Sequence, residues 1–211
     1  MKETSNKILL TWFEPFGSYK KNPVASIAKE LHGTFVDEKE IVWMPVPSIY
    51  NTFATIKDTI IKTNPSLIIN MWLASSVWWI RIETTGQNTM RSAYTDNDWV
   101  QYKQDENKKI LEDWPDLISS NSNAEQLKHI LTQHIWSEIE ISTNADGFIC
   151  NDLLYRTSLF VQQQQNTLKN VFLHIPWTDD YANQVTLSHW KIFIPREDVK
   201  TAVRKIIQHL G

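Results

Sequence analysis

The single cysteine, Cys150, follows a polar, turn-prone run, Ser142-Thr143-Asn144-Ala145-Asp146-Gly147, and the short apolar pair Phe148-Ile149. An apolar periodic segment (Leu153, Leu154, Phe160, Val161) begins just beyond it, so the sulfur stands at the start of a predicted helix. A thiol there feels the positive end of the helix dipole, which favours thiolate and predicts a lowered pKa. Downstream, Val171-Phe172-Leu173-His174-Ile175-Pro176 reads as a buried strand with a histidine near its end, where an α/β enzyme would keep a base. Thiolate and imidazole are the residue types of a nucleophile and its base. A lone cysteine also serves as a small buried apolar side chain, and spacing alone does not separate the two roles.

Both residues need rigid elements to bring them together. Residues 7–11, 41–46, 66–71, 137–142 and 170–175 are apolar or alternating and of strand length. Between and after them, residues 24–31, 52–63, 124–135, 151–163 and 198–210 carry helical spacing. In the second of these Phe53, Ile56, Ile60 and Ile61 form one stripe that reads as core. Strand–helix alternation predicts an α/β class fold: a single three-layer α/β/α domain over residues 1–211 with a largely parallel central sheet. Ligands of such sheets collect at the carboxyl ends of the strands. The segments 11–17 and 73–76 and His174 lie at such ends, and the turn into Cys150 follows the fourth strand. Residues 90–121 are polar and loop-like, a candidate lid, oligomer contact or solvated insertion.

Composition narrows the function. The net charge is −3, with 21 basic and 24 acidic residues interspersed, so no nucleic-acid-binding surface is expected. No apolar run has the length of a membrane span and no signal-peptide core opens the chain, so the expectation is a cytoplasmic protein with no membrane partner. One cysteine excludes an internal disulfide, and the six histidines show no zinc-type spacing, so no metal or cofactor is expected.

The run Ile8-Leu9-Leu10-Thr11-Trp12-Phe13-Glu14-Pro15-Phe16-Gly17, with Asn22-Pro23, Pro45-Val46, Asp96-Asn97-Asp98 and the Cys150 and His174 segments, resembles the pyroglutamyl peptidases. The similarity keeps this order from about residue 7 to at least residue 180. It implies a cysteine exopeptidase that removes an N-terminal pyroglutamyl residue from small peptides, and a chain that forms homo-oligomers. It further implies Cys150 as nucleophile, His174 as general base and Glu83 as the carboxylate that orients the imidazole. Glu83 is carried over because it lies seven residues past Ser76, which stands at the second glycine of a family GG pair. For the substrate ring the resemblance implies aromatic walls at Phe13, Phe16 and Phe148, with Ser48, Ile149 and Leu73 beside them.

The departures form a pattern. The chain holds ten tryptophans and five glycines. Trp12, Trp72, Trp99, Trp114 and Trp136 stand where the family has glycine, and Trp12 and Trp72 flank the expected pocket. Glycine at a turn supplies positive φ or close backbone approach, and an indole supplies neither. One reading is that the gene uses UGA for glycine and has been translated with UGA as tryptophan. Glycine at all ten positions would raise its count from five to fifteen of 211, near the usual 7% or about that. The other reading is a genuinely tryptophan-rich homologue with indoles in its core or stacked on ligands. Further departures are Leu73-Ala74-Ser75-Ser76 in place of Gln-Ala-Gly-Gly, and Ala93 where the family has an arginine, with Arg91 two residues away as its substitute. These leave two alternatives: an amidase of the same fold acting on another small lactam or acyl amide, and a catalytically silent binding or scaffold protein.

Overall fold

The computed structural model describes residues 5–17, 21–106, 108–164, 167–183 and 193–211. In chain order the elements are β1 (Lys7–Phe13), α1 (Pro23–Leu31), β2 (Phe35–Val36), β3 (Lys39–Val46), α2 (Phe53–Thr63), β4 (Leu67–Leu73) and β5 (Ile80–Glu83). There follow β6 (Thr85–Gln87), β7 (Leu117–Ser119), α3 (Ala124–Thr132), β8 (Ile139–Ser142), α4 (Ile149–Gln163), β9 (Lys169–Ile175) and α5 (Arg196–Leu210). Seven strands form one sheet in the order β2-β3-β1-β4-β9-β5-β8, and β6 pairs with β7 in a separate ribbon. The pairs β1–β3, β1–β4, β4–β9 and β5–β8 are parallel, whereas β2–β3 and β5–β9 are antiparallel.

The two-residue period of each strand divides its side chains between two helical layers. From β1, Ile8, Leu10 and Trp12 face the layer of α1, α3 and α5 and share one core with Ile27, Leu131 and Val203. Leu9 and Phe13 face the opposite layer, where α2 supplies Ile56 and Ile60 and α4 supplies Leu153 and Leu154. Burial on both sides of the central strands explains their near-continuous apolar character. All ten segments expected from the sequence are present, and the sheet is mostly parallel, as expected. Two short strands around Glu83, β5 and β6, were not anticipated. β5 runs against β9 and lies between it and β8, so the carboxylate strand is an internal member of the sheet.

Local chemistry fixes the ends that matter. Asn22 caps α1 by accepting from the Val24 amide at 3.0 Å, and Pro23 follows it where the missing N–H costs nothing. The same Asn22 donates to the Phe13 carbonyl at 3.0 Å and so ties the end of β1 to the start of α1. Among the described residues of 90–121 there is one short strand, β7, and the rest run as turns, loops and an isolated bridge between Met90 and Lys108. No helix among the described residues is long and apolar enough to cross a membrane.

Candidate active site

Cys150 occupies the first turn of α4, one residue after its start at Ile149. Asn151 locks that turn in place: it accepts from the Gln87 amide at 2.8 Å and donates to the carbonyls of Gln87 and Thr89 at 2.8 and 2.9 Å. Gly86 approaches so closely that an added Cβ would lie 2.5 Å from the Tyr155 Cα, a distance only glycine permits. The ribbon immediately following Glu83 is thereby clamped to the helix that carries Cys150.

Glu83 is fully buried, and its Oε1 accepts from His174 Nδ1 at 2.7 Å. A carboxylate can only accept, so Nδ1 carries the proton and Nε2 keeps its lone pair. In the antiparallel register Arg81 stands opposite His174 and Glu83 opposite Phe172, placing all these side chains on the α4 face. The Arg81 Nε lies 3.9 Å from Glu83 Oε1 and pairs more closely with Glu140 at 2.5 Å. Glu83 Oε2 is buried with no hydrogen-bond partner.

Cys150 and His174 open onto one cavity of about 920 Å³. Burial pushes the Cys150 thiol well above its ordinary value, and the nearby Glu83 and Asp146 carboxylates push it further. A backbone hydrogen bond at the helix start acts the other way and is outweighed. The lowered pKa expected from the helix dipole is therefore reversed: desolvation inside the cavity exceeds the dipole, and the resting group is a neutral thiol. An acceptor is needed to take the proton as attack occurs, and His174 Nε2 is free of the Glu83 contact.

Of the six residues expected around the substrate, Phe16, Phe148 and Leu73 line this cavity. Phe13, Ser48 and Ile149 are completely buried and lie outside its wall. Ser48 instead donates to the Glu14 carbonyl at 2.8 Å, and its own carbonyl accepts from Asn97, so it joins the loop after β1 to the Asp96 turn. Ile149 packs into the core beneath α4. Phe13 is covered by Trp72, whose ring meets it edge-on at 4.6 Å. Trp12 does not flank the cavity, because it points to the other face of the sheet and packs 6.0 Å from Trp43.

Arg91 and Ala93 both line the cavity, with Tyr94. Arg81 in the wall and the Asn151 clamp were missed from sequence. The alternation Ile80-Arg81-Ile82-Glu83 was the available signal for Arg81, and Trp78-Trp79 before it obscured the strand. Among the described residues no cluster of His, Cys, Asp and Glu could hold a metal ion.

An α/β domain that presents a cysteine from a helix start to a histidine–glutamate pair has the architecture of a cysteine hydrolase. The pyroglutamyl peptidase family model matches residues 6–207, and the chain belongs to that family. It is 28% identical over 175 residues to the pyrrolidone-carboxylate peptidase of Thermococcus litoralis, covering 82% of this chain and 78% of that one. It is also 28% identical over 177 residues to the Lactobacillus helveticus protein of the same name, covering 83% and 86%. Among solved structures, pyroglutamyl peptidase I of Bacillus amyloliquefaciens superposes with a TM-score of 0.86 at 22% identity, covering 98% of this chain and 97% of that one. A mutant pyrrolidone carboxyl peptidase of Pyrococcus furiosus gives 0.87 at 21%, covering 97% of each chain.

Proposed function

We propose that this chain hydrolyses the amide bond after an N-terminal pyroglutamyl residue, with Cys150 as nucleophile, His174 as general base then acid, and Glu83 as the group that orients it. The observation that carries the reading is the His174–Glu83 pair facing the cavity into which Cys150 opens. As Sγ attacks the scissile carbonyl, its proton passes to His174 Nε2, and the imidazolium that forms is stabilised by Glu83. Amides in the first turn of α4 have no intrahelical acceptors and serve the developing oxyanion. The same Nε2 proton then goes to the departing amine, and water, activated by His174 in turn, releases the acyl group from sulfur.

The apolar part of the wall, Phe16, Phe148 and Leu73, suits an uncharged lactam, and an ammonium set against those side chains would lose hydration without a hydrogen-bond acceptor there. Leu73 and Ala93 in that wall favour a second reading, an amidase of the same fold acting on another small lactam. The deciding assay follows fluorophore release from pyroglutamyl-aminomethylcoumarin by the full chain and its Cys150→Ala variant. Release that vanishes in the variant supports the peptidase; release that survives it, or silence from every folded form, refutes it.

A further inference from the structure

β4 and β9 are parallel and in register, with Trp72 opposite His174, so both side chains leave the sheet on the α4 face as neighbours. The Trp72 indole lines the cavity, forms a T-shaped contact with Phe13 at 4.6 Å and lies 6.1 Å from Phe16. Phe16 in turn meets Phe148 in a tilted contact at 5.2 Å, and Phe148 meets Tyr50 at 5.5 Å. Phe13 itself is completely buried and does not line the cavity, whereas the indole that contacts it does. Without that indole, Phe13 and Phe16 would bound a flat, apolar recess immediately beside the histidine.

We propose that Trp72 is the specificity-determining residue of this cavity: its indole occupies the recess beside His174 that would take a five-membered lactam ring, and a small residue at 72 opens it. The inference rests on the peptidase reading for its substrate. A recess walled by aromatic faces would grip a planar, uncharged ring through its faces and edges. An indole, with surface on the order of 200 Å², is larger than the ring it displaces. With Trp72 in place the protein therefore binds a pyroglutamyl group only against the outer wall formed by Phe16 and Phe148, away from its best alignment with Cys150. Trp72 lies in the extended strand β4, so glycine relieves no backbone strain here and acts by opening space.

The test compares the full chain with Trp72→Gly and Trp72→Ala, each with a Cys150→Ala control. Two substrates share the aminomethylcoumarin leaving group: one carries a pyroglutamyl group, the other an acetyl group that needs no recess. A second readout, independent of turnover, is protection of Cys150 from iodoacetamide by free 2-pyrrolidone, scored by mass. Opening position 72 is expected to raise kcat/KM for the pyroglutamyl substrate by at least about tenfold, chiefly through KM, and the acetyl substrate by less than about twofold. Pyrrolidone should then protect Cys150 at correspondingly lower concentration. Should glycine unfold the strand, the alanine variant gives the same reading; loss of cooperative melting in both would show the indole to be core and overturn the proposal. Unchanged ratios and unchanged protection in a folded variant also overturn it. Protection that improves while no form shows Cys150-dependent turnover supports the gate and refutes the peptidase. Cys150-dependent turnover insensitive to residue 72 does the reverse.

Discussion

At Trp99 the backbone holds φ at +64°, in the left-handed region. Five other described residues outside glycine share such an angle, and all are Asp or Asn, whose short polar side chains tolerate it. The Trp99 amide donates to the Asp96 carbonyl at 3.1 Å and the Asp96 amide to the Val100 carbonyl at 2.9 Å. That is the closure of a tight turn followed by a bulge residue, the position at which glycine is favoured. Trp99 is 84% exposed, so its indole returns little through burial. A side chain in this conformation costs about 1–2 kcal/mol. Glycine removes that cost and adds about 0.4–1 kcal/mol of unfolded-state entropy. Trp99→Gly is therefore expected to stabilise the protein by about 0.5–1 kcal/mol, a rise in Tm of about 1–4 °C for a chain of this size. Trp99→Ala keeps the Cβ and the strain, and should fall about 1 kcal/mol below the glycine form. Urea and thermal unfolding of the three proteins measure both differences. An alanine form as stable as the glycine form, or a glycine form less stable than the parent, would refute the strain argument.

Glu83→Gln keeps the size of the side chain while losing the charge that stabilises imidazolium. It should lower kcat by about 10²–10⁴-fold with little change in KM, and a loss confined to KM would contradict its orienting role. The raised Cys150 thiol predicts that iodoacetamide reacts slowly at neutral pH and faster only above the range of free cysteine; a midpoint below that range would show the dipole prevailing over burial. Glu30 is held down to about 2 by Lys200 and Arg196, so its contribution to stability is present above its ordinary value and is lost as pH falls toward 2. Glu30→Gln should flatten the acid limb of a stability–pH profile in that window, and an unaltered limb would show the pair to be fully screened. The glycine reading of the tryptophans predicts UGA in the gene at codons 12, 72, 99 and 114, and UGG at codons 12, 99 and 114 removes it.

Much of the architecture was legible because burial on both faces leaves apolar runs in β1, β4 and β9, and one-sided burial leaves stripes in the helices. The places of Cys150 and His174 were legible for the same reason, one at the start of an apolar helix and the other near the end of an apolar strand. Glu83 was not legible from patterning: β5 has four residues, and its pairing with β9 is set by a partner about ninety residues away. Phe13 was misplaced because the identity of a wall residue is visible in sequence, whereas what covers it depends on Trp72 from another strand. The Cys150 environment escaped for a related reason, since helix position is local and desolvation is set by the whole cavity.

Position 12 falls within β1, which is flanked by β3 and β4 and supplies side chains to both layers of the core. With UGA at that codon and at codon 72, a host that reads UGA as stop would release the chain after Thr11, before β1 is complete or any helix begins. A host that reads it as tryptophan would make the protein with the recess beside His174 filled, and one that reads it as glycine would make the open form. The same gene would then be silent, muted or active according to the decoding apparatus around it, which would confine its useful transfer to lineages sharing one codon assignment.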